Sequence, residues 1–308
     1  MKQLIVLFAI FSVFVTFGQQ IPHLSQWSNH QFAINPAHAG IKTCLEVQSS
    51  LRGQWIKMDG APATGWVTIS APLKAKRNHY LSARHGLGAT VNYDQIGAFK
   101  QISLMMAYAG HFNFSKDERL SLGLAFGATQ LAFDLDKAKP LFADPRINGS
   151  AVELKPTATF GAWWNGKNYY AGLSLYQLIP QKWNTIGSDA KSSIHGMVNG
   201  GFRQPLNQEW TLLPSLYVGF TKAAPVDLQL QVLFDYKSRF TTGLGYRNTD
   251  AIIGFLGFRF EERWRVSYSY DFILSALRPG TFHTHEITIG FSPCKAVRSD
   301  QQSCPMFE

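Results

Sequence analysis

Long stretches of the chain alternate strictly between apolar and polar side chains. Val226, Leu228, Leu230, Val232 and Phe234 share one side of a segment whose other side carries Asp227, Gln229, Gln231 and Asp235. Phe240, Thr242, Leu244 and Tyr246 alternate with Thr241, Gly243 and Gly245. Trp264, Val266, Tyr268, Tyr270 and Phe272 alternate with Arg265, Ser267, Ser269 and Asp271. A period of two places successive residues on opposite faces of a strand. Repeated over about ten residues and broken by short polar turns, it is the pattern of a membrane β-barrel, in which every backbone group is paired and one face meets lipid.

Read in this way, the sequence predicts about fourteen strands, at 44–56, 63–72, 85–94, 99–114, 118–132, 155–165, 168–177, 192–204, 208–221, 225–236, 239–247, 250–260, 263–273 and 282–291. An even count puts both ends of the barrel on one side, the periplasmic side in this class. Connections after even-numbered strands are tight, as at Ser115-Lys116-Asp117, Asn165-Gly166-Lys167, Pro205-Leu206-Asn207 and Glu261-Glu262. The long ones, 133–154, 178–191 and 274–281, follow odd-numbered strands, and 73–84 is an exception. The expected fold class is an all-β transmembrane antiparallel barrel with an N-terminal plug or strap.

The first residues sharpen the address. Lys2 precedes an apolar run from Leu4 to Phe17, with Thr16 and Gly18 at a position a signal peptidase can cleave. The expected organisation is a signal peptide at 1–18, a periplasmic plug or strap at 19–43, the barrel at 44–291 and a periplasmic tail at 292–308. No cysteine at the junction supports a lipid anchor. No later run approaches the roughly 20 apolar residues of a spanning helix. A mean hydropathy of −0.08 suits a barrel whose polar interior averages against its lipid face. With 16% charged and 14% aromatic residues, the balance is also that of a barrel with aromatic girdles. The net charge of +9 is scattered over turns and strand ends, without the basic run interleaved with aromatics that marks a nucleic-acid groove. Outer-membrane lipid, and no nucleic acid, is the expected surrounding.

Four short elements go beyond what a barrel needs: Ser25-Gln26-Trp27; Asn35-Pro36-Ala37-His38-Ala39-Gly40; Arg52-Gly53-Gln54-Trp55; and Gly60-Ala61-Pro62-Ala63-Thr64. In order and spacing they resemble the PorP/SprF family of type IX secretion membrane proteins, with Leu24 and His38 where the family usually has Tyr. Ser269-Tyr270-Asp271, Ser275 and Thr284-His285-Glu286-Ile287 continue the resemblance to the other end. It implies a noncatalytic outer-membrane barrel of the type IX secretion and gliding machinery. Such barrels are associated with periplasmic or lipoprotein components, and with export or surface attachment of large adhesins through the cargo's C-terminal domain. Pro36 and Gly40 shape a compact segment with Trp27 and Phe32 as apolar anchors, fit either to plug the barrel or to strap its rim. The alternative function is a transport barrel for hydrophobic small molecules, since the Asn-Pro-Ala element also resembles the N-terminal plug of fatty-acid channels.

Reactive side chains add little to this picture. His283 and His285 are expected to share a face, with Glu286 on the other, but no further ligand stands at a metal-site spacing. Ser192, Ser193 and His195 lie close in sequence without an oriented third group or oxyanion donors. Asp134, Asp136 and Asp144 lack the glycine and terminal carboxylate of a calcium loop. No catalytic residue, metal or cofactor is expected. Small inner-face residues, Gly123, Ala125, Gly127, Gly243, Gly245 and Gly257, make room either for a ligand path or for strand coiling and large neighbours. In an oxidising compartment Cys44 is expected to pair with Cys294 or Cys304, or Cys294 with Cys304, tying the tail to the rim. Phe291 ends the last apolar stripe. Phe142, Trp183 and Phe282, in or beside the long loops, are the expected cargo-facing aromatics.

Overall fold

The computed structural model describes residues 21–73, 83–138, 151–184, 191–222, 224–275, 278–281 and 283–294. Fourteen antiparallel strands form one closed sheet: β1 Glu46–Gly53, β2 Ala63–Pro72, β3 Arg84–Ile96, β4 Phe99–Asn113, β5 Arg119–Phe133, β6 Ala151–Asn165, β7 Tyr169–Tyr176, β8 His195–Phe202, β9 Trp210–Thr221, β10 Ala224–Tyr236, β11 Phe240–Arg247, β12 Ala251–Phe260, β13 Trp264–Ile273 and β14 Thr284–Phe291. A two-residue piece, Gln204–Pro205, continues β8 along β9. The ring closes between β14 and β1, in register from Val47 opposite Phe291 to Gly53 opposite His285. Closure removes the exposed sheet edges that lipid cannot satisfy.

The strands fall within a few residues of the alternation pattern, and the differences have local causes. β1 stops at Gly53 because Trp55 and Lys57 turn left-handed (φ 51° and 83°). Pro214 has no N–H to donate, and the β8–β9 ladder skips Leu213 and Pro214 opposite Phe202 and Arg203. Lys237-Ser238 and Glu261-Glu262 open three-residue hairpin connections with both residues at positive φ, the twist that tight hairpins require.

Burial is the inverse of that in a water-soluble protein. Leu51, Met106, Leu154 and Leu244 are each at least 60% exposed, on a continuous apolar outer band. Ser50, Arg52, His111, Arg119, Gln229, Arg247, Asp271 and Glu286 are buried inside. An outer apolar surface of this extent needs an apolar surrounding.

Odd-numbered strands start, and even-numbered strands end, at one rim. There Cys44 and Cys294 form a disulfide with Cα atoms 6.1 Å apart, and this is called the disulfide rim below. The connection 54–62 lies at the opposite, far rim, where Trp55 packs against an inner apolar cluster of Leu233, Ala251, Ile253, Phe255 and Ile273.

Residues 21–43 run along the lumen instead of the outside. Short helix α1, Gln31–Ile34, and a 3-10 turn, Pro36–His38, form their middle. The Ile41 carbonyl lies near Arg119 at the disulfide rim, Asn35 against β6 and β7, and Ser25 near the far rim beside Arg52 and Glu286. His23 Nδ1 reaches Asp227 Oδ2 at 3.0 Å, close to where β10 begins. The described ends of the chain, Ile21 and Cys294, therefore stand toward opposite ends of the barrel.

Candidate functional site

The N-terminal segment has little secondary structure to pair its own backbone, so the wall must do it. Ser25 is the clearest case. Its N–H donates to Glu286 Oε2 (2.7 Å) and its hydroxyl to Asp271 Oδ2 (2.7 Å), while its carbonyl accepts from the amides of Gln229 (2.8 Å) and Gln231 (2.7 Å). The guanidiniums of Arg52 and Arg247 both donate to the Ser25 hydroxyl oxygen, the latter at 2.7 Å. Gln26 completes the clamp, its N–H on Glu286 Oε1 (2.9 Å) and its side-chain amide on the Glu286 carbonyl (3.0 Å).

The charges behind this clamp are paired with each other. Arg52 bridges Asp271 (3.0 Å) and Glu286 (3.1 Å), and Arg247 bridges Asp271 (3.1 Å) and Asp250 (3.0 Å). Strand parity explains the meeting: Arg52, Arg247, Asp271 and Glu286 all alternate with outward residues, and all lie near the far-rim ends of their strands. Buried ion pairs contribute little net stability against apolar replacements, but losing one partner costs several kcal/mol, about 3–5. The network therefore fixes one position of the segment more than it stabilises the barrel.

Further along, His30 is held between the hydroxyls of Ser50 and Thr68, each at 2.8 Å. Burial pushes its pKa down to about 3, so the ring is neutral. His38 stacks edge-on against Trp163 with ring centroids 4.2 Å apart, and burial, helped by Lys42, also lowers it to about 3. The Asn35 side chain caps the following turn through the Ala37 N–H (2.9 Å) and donates to the Ala162 and Leu173 carbonyls, both at 3.1 Å. Ser174 and Tyr176 donate to the carbonyls of Ile34 (2.7 Å) and Ala33 (3.0 Å).

The wall is hollowed to receive this turn. A Cβ on Gly161 would lie 2.1 Å from Asn35 Oδ1, and one on Gly123 2.4 Å from the Ala37 nitrogen. Gly40, at φ 63°, passes against Ala71 and Gly86 with no room for a side chain.

The second pair of sequence elements shapes the 54–62 connection. Gln54 N–H donates to the Pro62 carbonyl (2.9 Å), Ala61 N–H to that of Met58 (3.1 Å), and Gly97 N–H to that of Gly60 (3.0 Å). Trp55 N–H donates to Thr284 Oγ1 (3.1 Å), and Thr64 donates to Asp94 (2.6 Å).

The sequence over residues 16–291 matches the family described as type IX secretion system membrane protein PorP/SprF. The chain belongs to the PorP/SprF family. Its four motif elements converge on the lumen and one loop: they place the N-terminal segment of this PorP/SprF protein and fasten the connection beside it. No protein of curated function matches the chain. Solved structures with similar barrels include a Pseudomonas aeruginosa FadL homologue, at 12% identity over 89% of this chain and 94% of that one with a TM-score of 0.47. The P. putida toluene transporter TodX is 10% identical over 84% and 92%, with a TM-score of 0.49. The Neisseria meningitidis NalP translocator domain is 12% identical over 87% and 95%, with a TM-score of 0.42. This PorP/SprF protein has an outer-membrane β-barrel fold, and its family is one of type IX secretion membrane proteins. Membership implies interaction with components of the type IX secretion system.

Other sequence-selected residues are dispersed. His285 lies on the outer face with its Nδ1 2.6 Å from the Tyr268 hydroxyl, whereas Glu286 points inward; His283 precedes the strand at φ 73° and accepts the Ile273 N–H. Among the described residues no three metal-ligand side chains converge. Ser192 accepts the Gln181 N–H at 2.7 Å. Trp183 is half-buried next to a bridge between Lys182 and Lys191. Phe142, Phe282, Asp144 and Cys304 lie outside the described residues.

Sequence reasoning overlooked Gln229, Gln231, Arg247 and His30 as anchors. Their only signal was a long polar side chain on the inward parity of a strand or in the segment preceding it.

Proposed function

We propose that this PorP/SprF protein is a noncatalytic docking barrel whose lumen is plugged by residues 21–43. The observation that carries the reading is the Ser25–Gln26 clamp, because a segment bonded along the whole inner wall leaves the barrel rigid and closed instead of forming an open conduit. The disulfide rim faces the periplasm and meets the secretion machinery. The far rim carries the long connections to the outside, where the C-terminal domain of a large secreted adhesin is held, with Phe142, Trp183 and Phe282 in or beside the gripping loops.

The test is a mild-detergent pull-down of the tagged protein from native outer membranes, followed by mass spectrometry. Recovery of a large adhesin or secretion components supports docking; recovery of the barrel alone with bound lipid rejects it. Deleting 135–150 or 179–190, which spares the paired residues of β5, β6 and β7, abolishes cargo retention on this reading, with barrel assembly intact.

A second reading, transport of hydrophobic small molecules, has one observation in its favour. A recess of about 680 Å³, open mouth included, lies between the N-terminal segment and β2–β6, with Phe32, Pro36, Trp66 and Met105 in its lining. An amphiphile copurifying in that recess, with a continuous path beyond it, would favour this alternative.

A further inference from the structure

On the outer face of β4, β5 and β6 the lipid-facing band changes character close to the far rim. Leu104 and Met106 of β4, Phe126 of β5 and Leu154 of β6 are exposed apolar side chains. The same strand parity brings Lys100, Gln130 and Ala132 to the outside. Register sets these residues in two rows across the strands. Ile102, Gln130 and Leu154 form one, and Gln95, Lys100, Ala132 and Val152 form the next toward the rim.

The small residues of β5 leave a groove. Beyond Phe126 its outward positions hold Ala128, Gln130 and Ala132, with exposed Leu104 on one side and exposed Val152 and Leu154 on the other. At its rim end the groove deepens into a recess of about 530 Å³, open mouth included. Gln95, Lys100, Ala132 and Val152 of the outer row line it, together with Phe133 and with Lys137 of a short helix, α2 Leu135–Ala138.

Both lysines of the lining are exposed, and neither has an ion pair among the described residues. Lys100 Nζ lies 5.4 Å from the centre of the Tyr93 ring, a cation–π contact that steadies the side chain without neutralising it. Asp134, also in the lining, is committed to the backbone: its Oδ1 accepts the Lys137 N–H at 3.3 Å. Two lysines against this one carboxylate leave the recess net positive. Gln130 adds an independent anomaly, an amide on the lipid side with no hydrogen bond among the described residues. A polar group turned toward hydrocarbon without a partner costs free energy, and a lipid ester or phosphate at this level supplies one.

A lone rim lysine needs only to snorkel to water. Here two lysines share one recess with a small floor, and the recess runs on into an apolar groove. A free inorganic anion would leave the groove unused, and a partner polypeptide would have to enter the lipid band. We infer that this is a binding site for an anionic membrane lipid, with the headgroup phosphate on Lys100 and Lys137 and an acyl chain along Ala132 and Ala128. The site lies outside the lumen and goes beyond the docking reading, on which it does not rest.

The test is native mass spectrometry of the full-length protein in detergent, titrated with phosphatidylglycerol or with phosphatidylcholine of the same acyl chains. One phosphatidylglycerol is expected to bind more tightly than phosphatidylcholine. Lys100→Gln and Lys137→Gln should each weaken it about fivefold, the effect of one basic residue at a charged lipid surface. Lys100→Arg should keep most of the affinity, and Ala132→Phe should weaken both lipids by filling the recess. Lys222→Gln removes the same charge from the exposed turn after β9, away from the groove, and should leave binding unchanged. Equal affinity for the two lipids in the unmodified protein overturns the proposal whether or not any variant folds. So does a loss in Lys222→Gln as large as in Lys100→Gln, the mark of general attraction to negative lipid. Unchanged phosphatidylglycerol affinity in a Lys100→Gln/Lys137→Gln protein that keeps its heat-modifiability overturns it as well. Because no cargo is present, failure here leaves docking standing, and a failed cargo pull-down leaves this site standing.

Discussion

The two ends of the lumen treat charge in opposite ways. Toward the far rim, Arg52 and Arg247 meet Asp271, Glu286 and Asp250, and the surplus hydrogen-bonding capacity of the carboxylates is spent on Ser25 and Gln26. At the disulfide rim, Arg259 faces Arg265 with the adjacent acids already engaged. One end is closed by interlocking ion pairs, whereas at the other Arg265 is held by Glu46 and Arg259 has no ion pair among the described residues. The contrast teaches that a polar barrel interior is not uniform: where it holds its own chain opposite charges interlock, and at the other end like charges stand side by side.

The largest effect expected from breaking the far end is that of Glu286→Ala. It leaves Arg52 with one carboxylate fewer and strands the Ser25 and Gln26 amides, a loss of about 3–5 kcal/mol. Urea unfolding in detergent, with limited proteolysis of residues 21–43, reads it; an unchanged midpoint and an uncut segment would show that the clamp is incidental.

Acid should act on the same segment. His30 and His38 titrate near 6.5 when unfolded and at about 3 when buried, so the folded state binds fewer protons. Their contribution is complete above the unfolded value and declines as pH falls from about 6.5 toward 3, costing about 2 kcal/mol for each near pH 5. Protease access to the segment should therefore rise between pH 7 and 5. His30→Gln should blunt that rise, and an identical pH profile in the variant would remove His30 from the account.

Gly161→Val should loosen the segment by about 1–3 kcal/mol through the clash with Asn35, measured by the same proteolysis with barrel heat-modifiability as the control. Arg259→Gln, at the disulfide rim, should change stability by no more than about 0.5 kcal/mol. A large loss there would mean that Arg259 is a structural group and would erase the contrast.

Much of the barrel was legible in the chain, because a strand's two faces are written in adjacent residues. Val226 to Asp235 already displays both lipid and lumen. What joins the faces into a site was not legible. Ser25 and Glu286 are separated by 261 residues and meet only because β14 closes on β1. The same closure sets Cys44 beside Cys294, a choice among three pairings that spacing alone left open. The path of residues 21–43 was hidden for a further reason. Its direction depends on which inner-wall glycines, Gly123 and Gly161 among them, leave space for it, and a glycine in a strand looks the same whether it accommodates twist, a ligand or another part of the chain. Gly123 was read as room for a ligand, for coiling or for large neighbours; the neighbours are Pro36 and Ala37 of the chain's own N-terminal segment.

The central claim is that the N-terminal segment is locked to the inner wall at Ser25 and Gln26. Hydrogen exchange of the intact barrel in detergent, resolved over residues 21–34, tests it most directly. The Ser25 and Gln26 amides should be as protected as those of the β1–β14 ladder. Exchange as fast as in the exposed Glu261-Glu262 turn would contradict the account.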